Sequence, residues 1–164
     1  MSDIHIEDPG GRLIKTEAAE RAGLQFPEPN LVLLTGAYCP KGCALIREDA
    51  PRFDGFAGIT LHATWEDRQG DLVLSPFQGD KRKLGPQFPE GAMLELSCPS
   101  CGTPLSVIGP CECGGEFVAL YTVKTPDPGY LVGLCRRWGC FRSFLEEGGR
   151  LVTEYRVFED MDDR

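Results

Sequence analysis

Histidine is almost missing from this 164-residue chain, which has two. Most common catalytic frameworks are missing with it: no H-E-x-x-H, G-x-S-x-G or phosphate-loop G-x-x-x-x-G-K-[ST] pattern occurs. Long apolar runs are also lacking. A stretch such as residues 31–34, LVLL, falls far short of the ~20 residues a membrane-spanning helix needs, so no membrane partner is expected. Basic charge is in deficit, with 17 Lys and Arg against 25 Asp and Glu for a net charge of −8. A protein that grips phosphate backbones does so by neutralising them with Lys and Arg, so this balance argues against nucleic acid. The opening MSDIHIEDPGG has neither the basic nor the apolar region of a secretory signal, and a cytoplasmic location is the expectation. Long helices are not expected either, because 20 Gly and 13 Pro punctuate the chain.

What the chain does have is cysteine: eight residues in four close pairs. In a reducing compartment such pairs point to metal or redox chemistry rather than to disulfides. The densest stretch is SCPSCGTPLSVIGPCECGG, residues 97–115, with Cys98 and Cys101 spaced C-x2-C-G and Cys111 and Cys113 spaced C-x-C-G. Each pair lies in a Pro- and Gly-rich turn that lets two sulfurs aim at one point, as tetrahedral four-thiolate coordination requires. The Gly after each pair lets backbone N–H groups turn toward the thiolates and offset their charge. The outer pairs are looser, Cys39 and Cys43 as C-x3-C and Cys135 and Cys140 as C-x4-C. The short central gap makes Cys98, Cys101, Cys111 and Cys113 the natural first set. Cys39, Cys43, Cys135 and Cys140 then form a second, which would close the fold from end to end. Two Zn2+ per chain are the expected cofactors, each all-cysteine site adding about −2 in charge.

Other chemistry on these residues is weighed against zinc. Ferredoxin-type iron–sulfur clusters draw three ligands from one close run, whereas here every ligand comes in twos. A dithiol redox centre at Cys98 and Cys101 would be expected to open a helix in a βαβ unit, and this motif precedes a Gly and a second cysteine pair. His62, on the polar face of its strand, reads as an ordinary hydrogen-bonded histidine in preference to a ligand. Lys81, Arg82 and Lys83 read as a solvated run, with anion binding as the alternative. Arg136, Arg137 and Trp138 sit between Cys135 and Cys140, either packed over that site or forming an exposed tip for a protein contact.

Between the cysteines the pattern is that of strands. Residues 59–65 alternate, with Ile59, Leu61, Ala63 and Trp65 on one face. A turn at 67–70 then returns the chain through 72–74 as a hairpin. Further strands are expected at 31–35, 44–46, 93–96, 117–124, 130–134 and 151–158, with a polar loop over 76–89. Thr16 suits an N-cap for a short helix ending at Gly23, after which FPEPN should break regular structure. Ser143 and Glu146 match a capping box for about one helical turn. The expected architecture is mainly β: a small antiparallel β domain stapled by two zinc-ribbon-like four-cysteine sites, with little helix. It comprises an N-terminal arm (1–30), the zinc-stapled domain (31–158) and an acidic tail (159–164).

The CPSCG and CECGG stretches resemble zinc-ribbon knuckles. CPSCGTPL also resembles the cysteine motif in small zinc-binding subunits of ATP-dependent ketone carboxylases of the acetone and acetophenone type, although cysteine order and spacing differ. That resemblance implies a non-catalytic role beside larger catalytic protein subunits. All-cysteine sites leave no open coordination position, so the chain itself is expected not to be an enzyme. The expected role is an accessory or structural subunit. A stand-alone regulatory or nucleic-acid-associated zinc ribbon and an iron–sulfur electron-transfer subunit are the alternatives.

Overall fold

The computed structural model describes residues 5–7, 13–14, 24–28, 31–78, 80–140, 142–147 and 150–155. Among them the regular structure is all strand. In chain order these are β1 (His5–Glu7), β2 (Leu13–Ile14), β3 (Leu24–Glu28), β4 (Leu31–Leu34), β5 (Arg52–Phe53), β6 (Phe56–Ala57), β7 (Ile59–Trp65), β8 (Arg68–Leu74), β9 (Lys83–Leu84), β10 (Glu95–Ser97), β11 (Val107–Pro110), β12 (Glu116–Tyr121), β13 (Tyr130–Cys135), β14 (Ser143–Glu147) and β15 (Arg150–Tyr155). Two antiparallel sheets dominate, one ordered β10-β7-β8-β9 and one β11-β12-β13-β14-β15. The fold is mainly β and antiparallel, as the sequence implies.

The alternation in β7 does what its pattern requires, because Ile59, Leu61 and Ala63 are all buried. They join Leu72 and Leu96 of their own sheet, Val118, Leu120, Val132 and Leu145 of the five-stranded sheet, and Val32 and Leu34 of β4 in one core. On the other face of the five-stranded sheet, the Phe144 ring lies across Gly133. A Cβ at residue 133 would come within 2.3 Å of that ring, so only Gly fits. Phe117 closes the stack edge-on at 4.9 Å.

Several local expectations are corrected. The β7–β8 hairpin turns at Glu66 and Asp67, not over 67–70: Trp65 faces Arg68, and Glu66 takes the left-handed conformation that such a two-residue turn demands. Ser143–Glu147 is a strand, not a helical turn. Pairing on both sides, with Leu145 buried between Val132 and Thr153, outweighs a two-residue capping signal. Phe26 and Pro27 continue β3 instead of breaking it, with a register irregularity between Gln25 and Glu28 absorbing the proline, which has no N–H to donate. The 76–89 stretch is not wholly a solvated loop: Pro76, Phe77 and Gln78 are buried, and β9 pairs with β8. The expected helix between Thr16 and Gly23, and residues 156–164, lie outside the described residues.

Candidate metal centres

The eight cysteines gather into two groups of four, with all sulfurs in each group within 4.8 Å of one another. The first group is Cys39, Cys43, Cys98 and Cys101, and the second is Cys111, Cys113, Cys135 and Cys140. This corrects the expected pairing, in which the two central knuckles shared one ion. The reason is mechanical. After the Cys98–Cys101 knuckle the chain runs back along β10, with Ser97 bridged to Pro104, and then continues as the strand β11, whose four residues alone carry it about 13 Å. Cys98 therefore stays at the end of β10, while Cys111 and Cys113 sit in the turn joining β11 to β12.

Sheet topology brings the remaining cysteines to each knuckle. In the first group, residues 39–43 form a turn closed by Cys39 N–H to Cys43 O (3.0 Å) and Gly42 N–H to Cys39 O (2.9 Å). The turn is anchored by Tyr38, which bridges to Tyr121 of β12. Its partner knuckle is closed by Gly102 N–H to Cys98 O at 2.9 Å, with Gly102 at φ +77°, where a side chain would be strained. In the second group, antiparallel pairing sets Cys135, at the end of β13, opposite Phe117, near the start of β12. The β11–β12 turn and the loop after β13 therefore meet at one end of the sheet. Gly115 is what allows the approach. A Cβ there would lie 2.9 Å from Cys135 Sγ and 3.3 Å from Cys113 Sγ.

The sulfurs lie 3.7 Å apart for Cys39–Cys101, 3.5 Å for Cys113–Cys135 and 3.8 Å for Cys111–Cys140. A disulfide would need about 2.05 Å, and all eight cysteines are free. Four thiolates around one tetrahedral ion at about 2.3 Å stand about 3.8 Å apart. Each cage therefore fits a single ion. A multi-iron cluster, which binds each thiolate to a different iron or spreads pairs across two, needs its sulfurs further apart.

Backbone donors converge on these sulfurs. Cys39 Sγ accepts from Lys41 N–H (3.2 Å) and Cys43 N–H (3.4 Å), Cys98 Sγ from Ser100 N–H (3.3 Å), and Cys113 Sγ from Gly115 N–H (3.3 Å). With protons in place of a metal, the sulfurs divide sharply. Hydrogen bonds from the Thr103 hydroxyl and N–H hold Cys101 down to about 6. Burial works against Cys113, but the Gly115 N–H and the neighbouring thiols overcome it and hold it down to about 6. Cys43 is pushed up to about 12, first by its hydrogen bonds to Cys101 and Cys39 and then by burial. Burial is the main cause that pushes Cys140 up to about 11 and Cys135 higher still. Four sulfurs this close do not ionise together without a cation among them, so loading a metal must release protons.

The second cage has its own brace of arginines. Arg137 donates to Cys113 O at 2.9 Å, and Arg136 grips Glu116 Oε1 through Nε (3.0 Å) and Nη2 (2.8 Å) while a third N–H reaches Leu94 O. Trp138 packs edge-on against Phe88 at 5.2 Å, so this tip folds onto the domain, with Arg137 bonded to the cage backbone and Arg136 tying Glu116 to Leu94. His62 pairs with Ser97, next to Cys98, but belongs to neither group of four. Its ring nitrogens face Asp71 Oδ1 (3.2 Å) and Gln69 Oε1 (3.1 Å) across β8. Sequence reasoning did not find Thr103 or Gly115, although both stand two residues past a cysteine, where a knuckle's N–H groups turn inward.

No family model matches the chain, and neither does any curated protein or solved structure compared with it. The zinc-ribbon and carboxylase-subunit resemblances therefore rest on the motif residues alone. What the geometry establishes is two four-cysteine groups that could each hold a metal ion.

Proposed function

We propose that this chain is a non-catalytic zinc protein, carrying two Zn2+, that serves as an accessory or structural subunit of a larger cytoplasmic enzyme complex. The observation that carries the reading is the closure of both cages. Four sulfurs surround each ion position, which leaves no place for water or substrate and matches structural rather than catalytic zinc. Zinc is preferred to iron because closed tetrahedral thiolate cages built from paired knuckles are characteristic structural zinc sites. The likeness of CPSCGTPL to small subunits of ketone carboxylases supports the role beside catalytic partners. The net charge of −8, made more negative by the thiolate cages, weighs against the nucleic-acid alternative.

The test is purification of tagged chain from its native cell at native level. Large catalytic subunits in fixed stoichiometry, retained through about 0.5 M salt, are expected, since such salt screens purely electrostatic contacts. Recovery of the chain alone, or bound to nucleic acid in a salt-sensitive manner, would overturn the reading.

A further inference from the structure

The two cages differ in how far they open to solvent. In the second, Cys111 and Cys135 are buried and Cys113 and Cys140 half-buried. The Gly115 backbone packs against the Cys113 and Cys135 sulfurs, and its N–H donates to Cys113 Sγ at 3.3 Å. Arg137 closes the same knuckle through Cys113 O, and Arg142 reaches over to Glu112, between Cys111 and Cys113, at 2.8 Å. In the first cage Cys39 and Cys98 are buried and Cys43 half-buried, but Cys101 is exposed. Ser100 and Gly102 on either side of it are exposed too, as is Lys41 at the tip of the facing turn.

Cys101 also has a partner within reach. Cys39 Sγ lies 3.7 Å from its sulfur, on a segment 62 residues away along the chain. In a loaded cage all four sulfurs are thiolates, so access from solvent decides which of them an oxidant meets first. Redox-sensing cysteines are exposed and stand beside a second cysteine that can resolve the oxidised sulfur. Cys101 and Cys39 meet both conditions. The second cage holds sulfur pairs as close, 3.5 Å and 3.8 Å apart, but none of its four cysteines is exposed.

We propose that the first cage is a peroxide-responsive site, oxidised at Cys101 and resolved by Cys39, while the second cage keeps its metal. The inference rests on the zinc reading of the cages and not on the accessory-subunit role. Hydrogen peroxide takes two electrons from the Cys101 thiolate: its O–O bond breaks, one oxygen stays on sulfur as S–OH and the other leaves as hydroxide. The Cys39 thiolate then attacks the Cys101 sulfur, the S–S bond forms and the second hydroxide leaves. Two thiolates have been oxidised and one peroxide reduced to two hydroxides. Zn2+ is left with Cys43 and Cys98 alone and is released. The disulfide takes the ion's place as the link between the 39–43 turn and the 98–101 knuckle, and a thiol reductant reverses it.

The test uses zinc-loaded full-length chain whose metal content is measured before any oxidant is added. Hydrogen peroxide is then supplied, zinc release is followed with a chromogenic chelator, and disulfides are mapped by mass spectrometry. One zinc should leave about tenfold or more faster than the other, in step with a Cys39–Cys101 disulfide, and dithiothreitol with fresh zinc should restore the starting state. Cys39→Ser with Cys98→Ser, which spares only the second cage, should lack the fast phase; Cys111→Ser with Cys135→Ser should keep it. Release of both zinc ions at one rate, no release, or a first disulfide other than Cys39–Cys101, all of them readable in the parent chain, would overturn the switch and leave the zinc reading standing. Failure of the chain to hold two zinc before oxidant would overturn the zinc reading and the switch with it.

Discussion

Gly115→Ala isolates the close approach on which the second cage depends. The added Cβ would stand 2.9 Å from Cys135 Sγ, 2.9 Å from Arg137 Cβ and 3.3 Å from Cys113 Sγ. Real Cβ atoms essentially never come within 3.0 Å of another heavy atom, so a ligand sulfur or the Arg137 backbone must shift. Neither moves freely: Cys135 is fixed by the β12–β13 ladder and Arg137 by its bond to Cys113 O. Overpacking of this kind costs about 1–3 kcal/mol. If that cost falls on the metal-bound state, affinity at the second cage drops by about 5- to 140-fold. Gly109→Ala is the internal control, because a Cβ there meets nothing within 4 Å. Chelator competition should show one metal released early from Gly115→Ala and the other retained, with Gly109→Ala behaving as the parent. Equal retention of both metals in Gly115→Ala would refute the close-approach argument.

Pairing of the cages can be tested by double replacement. Cys39→Ser with Cys98→Ser should leave one metal per chain, because both residues belong to one cage, whereas Cys39→Ser with Cys111→Ser should leave none; loss of both metals in both double variants would restore the pairing expected from sequence spacing, in which Cys39 shares a cage with neither Cys98 nor Cys111. Gly133→Ala places a Cβ 2.3 Å from the Phe144 ring. It should cost about 1–3 kcal/mol, lowering Tm by roughly 2–12 °C, and an unchanged Tm would mean that the ring is free to move. Asp80 supplies a pH dependence. Burial opposes its charge, but Arg82 and Ser75 hold its carboxyl below the ordinary 3.8, so its contribution is present above that value and lost as pH falls through the lower folded value. Urea midpoints should therefore fall more steeply below about pH 4 in the parent than in Asp80→Asn, and parallel curves would contradict this.

The cages show what a sequence discloses and what it withholds. That eight cysteines in four knuckles could hold metal follows from local spacing, and both groups of four are built from whole knuckles. Which knuckles share an ion is a matter of topology. Proximity along the chain misleads because residues 107–110 are extended and pair with β12. The β7 strand was legible from its alternation, and its turn was misplaced by three residues of polar sequence that continue into β8. Ser143 and Glu146 carry a helix-capping pattern that is overruled by pairing with β13 and β15, partners distant in sequence.

The most direct test of the central claim is metal content, with visible absorbance, of chain purified without oxygen. About two zinc per chain are expected, with no iron, no sulfide and no colour. Iron with sulfide and a brown absorbance would contradict it, making the chain an electron-transfer protein and its cages something other than closed single-ion clasps.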